Sequence, residues 1–242
     1  MTYCVGLLLN DGMVCLSDTR TNAGLDNIST YRKMFTFEKP GERAIIIMTA
    51  GSLSVTQTTI ARLRAAIDDE EATPETSIML APTMLKVAHL IGNTLAAVRR
   101  EIHEKLTAMS QSASASMIVA GQRKDGEMRM FLIYPEGNFI EATDDTPFLQ
   151  IGEHKYGKPI LDRVVRPETN LRDAQKAVLL SMDSTLRSNL SVGMPLDLAV
   201  IKRDTLKINY QRRIEAGDEQ FRKMSEGWSN ALREGFSRIE MD

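Results

Sequence analysis

The strongest constraint on the fold is a short run, Arg43-Ala44-Ile45-Ile46-Ile47-Met48. It is apolar at almost every position, so it lacks the in–out alternation of a strand with one wet face. It follows Lys39-Pro40-Gly41-Glu42, where the Pro-Gly pair makes a turn. It therefore reads as a strand over residues 43–49 that is covered on both faces. Such a strand needs a layer of structure on each side.

The order of the other elements supplies those layers. Residues 2–9 and 13–18 are strands joined by Asn10-Asp11-Gly12, whose Asp-Gly pair tolerates the positive φ of a hairpin turn. Residues 19–31 are polar, contain Asn22, Gly24 and Asn27, and are expected to form a loop. Residues 33–38 pair with the apolar run. Residues 52–68 are helical, with Val55, Ile60, Leu63 and Ile67 apolar, and end in a solvated Asp68-Asp69-Glu70-Glu71 run. A second helix starts near Pro82, a residue suited to a first turn. Met84, Ala88, Ile91, Leu95, Val98, Ile102 and Leu106 then recur at three and four, giving one buried stripe.

After a small polar loop at 110–116, strands are expected at 115–124, 127–134, 139–142 and 147–151. Helices follow at 153–165 and 171–190, the latter with Leu171, Ala174, Val178 and Met182 on one face. Strands at 196–203 and 206–213 come next. An amphipathic helix closes the chain, with Phe221, Met224, Trp228, Leu232, Phe236 and Ile239 on its apolar stripe. Blocks of strands separated from blocks of helices argue against a parallel βαβ fold. The expected class is α+β: a four-layer α/β/β/α sandwich with an extra C-terminal amphipathic helix. With no linker, repeat or low-complexity tract, 1–242 is expected to be a single domain, with 2–213 as the core sandwich and 217–239 as the helix.

Composition narrows the chemistry by exclusion. The chain has 242 residues and a net charge of −2, which gives no bulk attraction to nucleic acid or anionic membranes. No apolar run reaches the roughly 20 residues that span a bilayer. The N-terminus lacks the basic region of a signal peptide. Cys4 and Cys15 lie in apolar strands without metal-ligand spacing and form no disulfide framework. His89 and His103 have no acid, thiol or third histidine at ligand spacing and read as ordinary helix residues. The expectation is a cytoplasmic protein with no metal, organic cofactor or nucleic-acid partner.

The residues that carry chemistry cluster early. Met followed by a small Thr is a usual substrate for methionine aminopeptidase, and removal of Met1 leaves Thr2 as the terminus. A threonine hydroxyl is a poor nucleophile without a base. A terminal α-amine is such a base, because its ordinary pKa of about 7.7–8.0 lies near neutrality. A buried lysine next to it would lower the hydroxyl and amine pKa values, and an acid would hold that lysine charged. Asp18, at the end of the second strand, and Lys33 are the candidates. Gly51, at a strand-to-helix turn, offers a backbone N–H for an oxyanion. Taken singly, each has an ordinary reading as a turn former, a solvated cation or a cap. Their order and spacing point to one site. Cys4, two residues into a strand with no histidine in reach, is a much poorer nucleophile.

This combination, Thr2, Ser17-Asp18-Thr19-Arg20, Arg32-Lys33 and Thr49-Ala50-Gly51, resembles the N-terminal-nucleophile proteasome β-type superfamily, including its 16-residue step from nucleophile to acid. Within that superfamily it is most similar to the Anbu family of bacterial ancestral-β-subunit homologues. The Met-Thr-Tyr-Cys start, residues 17–24 and Ile28-Ser29-Thr30-Tyr31-Arg32-Lys33-Met34 carry the closer match. The resemblance spans about 2–213, and the terminal helix is similar to the Anbu extension.

The resemblance implies the same four-layer fold and a threonine-type peptidase. Thr2 would be nucleophile and base, Asp18 and Lys33 the supporting pair, and Gly51 the oxyanion donor. It also implies a homo-oligomer, as a ring or open spiral, acting on peptides or unfolded proteins. A separate ATP-dependent unfoldase is the usual partner, and this chain has no Walker pattern of its own. Two turns depart from the family pattern. Glu153 stands where a serine is expected, and Ser188 replaces an aspartate in the turn containing Ser191. Arg20, Glu153, Ser188 and Ser191 are thus possible supporting residues. The departures also keep two alternatives open: a self-assembling scaffold with a vestigial site, and a hydrolase of small amides.

Overall fold

The structure, a computed structural model, describes residues 1–22, 28–108 and 112–240. Gly24 and Asn27 of the expected loop, Ser110 and the side chain of Leu106 lie outside the described residues.

Two five-stranded antiparallel sheets form the centre. The first contains β1 (Tyr3–Leu9), β2 (Gly12–Asp18), β10 (Phe148–Gly152), β11 (Leu196–Lys202) and β12 (Tyr210–Ile214), in the order β10-β1-β2-β11-β12. The second runs in chain order from β5 (Met34–Lys39) and β6 (Arg43–Gly51) to β7 (Ala115–Arg123), β8 (Arg129–Ile133) and β9 (Phe139–Glu141). Helices α1 (Leu53–Asp68) and α2 (Met84–Ala108) cover the second sheet. Helices α3 (Lys158–Val164) and α4 (Leu171–Ser188) cover the first. The result is the expected α/β/β/α sandwich.

Side-chain alternation shows why β6 is apolar throughout. Ile45 and Ile47 pack outward among Val55, Ile60, Ile91 and Leu95 of the helices. Ala44, Ile46 and Met48 point inward to a layer shared with Cys4, Met13, Cys15, Met130 and Ile201. Each fully buried isoleucine contributes about 1.5–3 kcal/mol relative to exposure, so neither face of β6 tolerates a polar residue cheaply. β1 divides in the same way: Tyr3, Val5, Leu7 and Leu9 meet the α4 layer, and Cys4 faces inward. The layer between the sheets is rich in methionine, whose flexible side chain fills irregular gaps. The sheets come close at Gly6, where a Cβ would lie 2.6 Å from the Met130 sulfur.

Several boundaries differ from the sequence expectation. Residues 19–31 contain two short paired strands, β3 (Arg20–Asn22) and β4 (Ile28–Thr30), rather than a loop alone. Strands of three residues are too short to show a hydrophobic period. Helix α2 begins at Met84, after Pro82, and the Thr83 hydroxyl accepts from Lys86 N at 3.0 Å. Residues 153–157 are not helical. Gly152 has φ +82°, and Glu153 N is taken by Thr2 O at 2.7 Å, so α3 starts only at Lys158. β12 starts at Tyr210, not 206, because Asp204 and Leu206 adopt φ of 61° and 50° in a wider turn, tied across the sandwich through Gln122.

The closing helix α5 (Glu219–Ser237) is capped by Asp218, which accepts from Phe221 N at 2.8 Å. Its first half packs on α4, where Arg187 donates to Ser225 Oγ at 2.7 Å. Its second half is uncovered, with Phe236 80 % exposed.

Candidate active site

The inward alternation of β1 and β6, carried to the near ends of both strands, brings Thr2 and Ala50 together. A cavity of about 260 Å³ opens there, lined by Thr2, Lys33, Ala50, Gly51 and Glu153 among others. The four residues proposed from sequence for one site do not share an element. Thr2 precedes β1, Asp18 ends β2, Lys33 precedes β5 and Gly51 ends β6.

Lys33 is buried, not solvated, at 4 % exposure. Its ammonium donates to Asp18 Oδ1 at 2.8 Å and to Arg20 O at 2.5 Å. Asp18 has no solvent exposure. It also accepts from Tyr3 N at Oδ1, 3.1 Å, and from Gly193 N at Oδ2, 3.3 Å. None of these three donors can accept a proton in return, so the shell is made for a carboxylate. Burial pushes the Asp18 acid up from its ordinary value, while the Lys33 charge and the two amides pull it back. Lys33 is also anchored through its backbone, because Thr49 N donates to Lys33 O at 2.9 Å. The pair is therefore fixed to both sheets.

Gly51 has φ +104°, and a Cβ there would lie 2.4 Å from Ser114 O. Only glycine lets the chain leave β6 at this angle and line the cavity. Cys4 is fully buried, and burial pushes its thiol well above the ordinary value, so it is not a competing nucleophile. Among the described residues, no group of three or more His, Cys, Asp or Glu is arranged to hold a metal ion.

The possible supporting residues separate. Arg20 gives its carbonyl to Lys33, and its guanidinium donates to Leu190 O at 2.9 Å. Glu153 lines the cavity. Ser188 is exposed at the end of α4, and Ser191 offers its backbone N–H to Asn189 Oδ1 at 2.9 Å. Neither serine lines the cavity. Asn189 and Gly193, which sequence reasoning did not single out, make the contacts instead: Asn189 to Glu153 and Gly193 to Asp18.

Known proteins share this fold. The family model described as proteasome subunit matches residues 2–201. Among solved structures, an Anbu (Gly-1) mutant from Hyphomicrobium sp. strain MC1 superposes with TM-score 0.93 at 47% identity, covering 100% of this chain and 99% of that one. The chain belongs to the proteasome-subunit family, in its Anbu branch. Anbu from Yersinia bercovieri gives TM-score 0.91 at 42% identity, with 99% of each chain covered. The structure described as the helical assembly of the Anbu complex from Pseudomonas aeruginosa gives 0.89 at 42% identity, covering 99% of this chain and 98% of that one. Comparison with curated proteins gave no match.

In this Anbu-family chain the N-terminus is placed by Gly152. A Cβ there would lie 1.9 Å from Thr2 O, and φ is +82°. Gly152→Ala is expected to displace Thr2 from the cavity and to destabilise the fold by about 1–3 kcal/mol. Denaturant unfolding reads the stability, and labelling of Thr2 by a threonine-directed electrophile reads the displacement. Unchanged stability and unchanged labelling would show that the terminus does not depend on this close approach.

Proposed function

We propose that the chain is a threonine-type peptidase that hydrolyses peptide bonds through an acyl-enzyme on Thr2 after loss of Met1. One observation carries the reading: Thr2, Lys33 and Gly51 line one cavity, and the buried Asp18 is paired with Lys33. While Met1 is attached, the Thr2 nitrogen is an amide and has no basic lone pair. Once freed, the amine takes the proton from Thr2 Oγ as that oxygen bonds the substrate carbonyl carbon. The carbonyl oxygen becomes an oxyanion, for which Gly51 N–H is the proposed donor. The leaving amine takes the proton, the peptide C–N bond breaks, and an ester remains on Thr2. Water then hydrolyses the ester and restores the hydroxyl. Lys33, held charged by Asp18, keeps a positive charge near the reacting hydroxyl and lowers the amine pKa. The Met1 amine is already lowered, first by burial and then by Lys33. Free buried Cys4 and Cys15 suit a reducing, cytoplasmic setting.

The protein is further proposed to self-assemble. The uncovered second half of α5, with Leu232 and Phe236 exposed, and the exposed Ile239 just beyond the helix support contact between subunits, and a relative is described as a helical assembly. A chamber formed in this way admits peptides and unfolded chains. A second reading, a scaffold without turnover, is favoured by the placement of Ser188 and Ser191 away from the cavity. The deciding experiment is intact mass before and after a threonine-directed electrophile, with peptide mapping, followed by assay on a peptide library. Loss of Met1, a single adduct on Thr2 and cleavage of peptides are expected. Retained Met1, or a free Thr2 that takes no label, would overturn the peptidase.

A further inference from the structure

Glu153 meets the N-terminus more closely than its distance along the chain suggests. Its backbone N–H donates to Thr2 O at 2.7 Å, which fixes its Cα one residue's reach from the terminus. Glu153 lines the Thr2 cavity. Its Oε2 accepts from Asn189 Nδ2 at 3.2 Å, and the same amide nitrogen lies 3.9 Å from the Met1 sulfur. The Asn189 amide therefore touches both the Glu153 carboxylate and the residue that must leave.

Asn189 is itself held at three points. Its N–H donates to Thr185 O at 2.9 Å, its carbonyl accepts from Val192 N at 3.1 Å, and its Oδ1 accepts from Ser191 N at 2.9 Å. The side-chain oxygen is thus committed, and the NH₂ group is directed at Glu153.

Among the described residues, Lys33, Asp18 and Glu153 act electrostatically on the Met1 amine, one residue before the Thr2 nitrogen. Asp18 is occupied by Lys33 and two backbone amides. Glu153 is the carboxylate left for the amine. We infer that Glu153, fixed by Asn189, binds and orients the Thr2 α-amine once Met1 is gone, and that Asn189 is a positioning residue acting through it. The carboxylate accepts one amine hydrogen, which leaves the lone pair free to face Thr2 Oγ. It then balances the ammonium formed when the amine takes the hydroxyl proton. Its negative charge raises the amine pKa, against the lowering by Lys33.

The rate arm of the test rests on the peptidase reading; the titration arm does not. The assembled full-length protein is prepared with Thr2 as its first residue, by host methionine removal or by cleavage of an N-terminal ubiquitin fusion. Cyanate carbamylation of the Thr2 amine, which needs the neutral form, is followed by peptide mass across pH. Glu153→Gln keeps the shape and the backbone bond to Thr2 but removes the charge. Its carbamylation midpoint is expected to move to lower pH by about one unit, and its plateau hydrolysis rate to fall about tenfold. Asn189→Ala is expected to move the midpoint the same way by less. A purely structural role would leave the midpoints where they are. Coincident midpoints for the parent and both variants, or a move to higher pH, would overturn the inference. A shifted midpoint without peptide hydrolysis in any form would uphold the amine site and refute the peptidase. Hydrolysis with an unmoved midpoint would do the reverse.

Discussion

Thr2→Ala is expected to reduce peptide hydrolysis by about 10⁴-fold or more while leaving the fold intact. The size follows from what is removed. Without the hydroxyl there is no acyl-enzyme, and what survives a lost nucleophile is only the contribution of binding and oxyanion donors. Alanine at position 2 keeps the backbone carbonyl that accepts from Glu153 N, and it is also small enough for Met1 to be removed. Stability should change by no more than about 1 kcal/mol, read by denaturant unfolding. Thr2→Ser, which restores a hydroxyl, should recover measurable turnover. Full activity in Thr2→Ala would place the chemistry elsewhere. A biological effect that survives Thr2→Ala unchanged would favour the scaffold.

The second large effect is on stability. Asp18→Ala leaves the Lys33 ammonium buried against the Arg20 carbonyl without a counter-charge. Removing one partner of a buried pair costs about 3–5 kcal/mol. The Tyr3 and Gly193 amides lose their acceptor as well, at about 1–3 kcal/mol for each buried donor left unsatisfied. A natural domain has about 5–15 kcal/mol in all, so the variant should sit near its unfolding midpoint in water or fail to fold. Adding Lys33→Met to Asp18→Ala removes the stranded charge and should recover part of the loss. A cost of under about 1 kcal/mol for Asp18→Ala would show that solvent screens the pair. Apolar residues often stabilise a core as well as a buried ion pair does. The presence of this pair beside Thr2 is therefore better explained by the proposed chemistry than by stability.

The layers of the fold were legible because each leaves a local mark. The Ala44–Met48 run required cover on both faces, and helices and a second sheet supply it. The three-and-four stripe of α2 became its buried face. Turn residues at Asn10-Asp11-Gly12 and Pro40-Gly41 marked the hairpins. Short pairing was not legible: β3 and β4 are three residues each and leave no period. The start of α3 was misplaced for a related reason, since the turn at 152–157 depends on Thr2, far away in sequence.

The site divides the same way. Thr2, Asp18, Lys33 and Gly51 were readable as residue types in a recognisable order, all within the first fifty-one positions. The rest of the arrangement depends on which strands become neighbours. β10 lies beside β1, with Tyr3 opposite Gly152, and that pairing brings Glu153 to the N-terminus. β11 lies beside β2, with Leu196 opposite Asp18, and that pairing brings Gly193 to the carboxylate and Asn189 to Glu153. Gly193 and Asp18 are 175 residues apart and Asn189 and Glu153 are 36 apart, and an amide or a loop asparagine carries no sign of its distant acceptor. By itself the sequence determined the alternation of layers and the chemical types at the start of the chain. Only the tertiary structure decided which distant backbone and side-chain groups surround them, because strand pairing, and not local pattern, sets those distances.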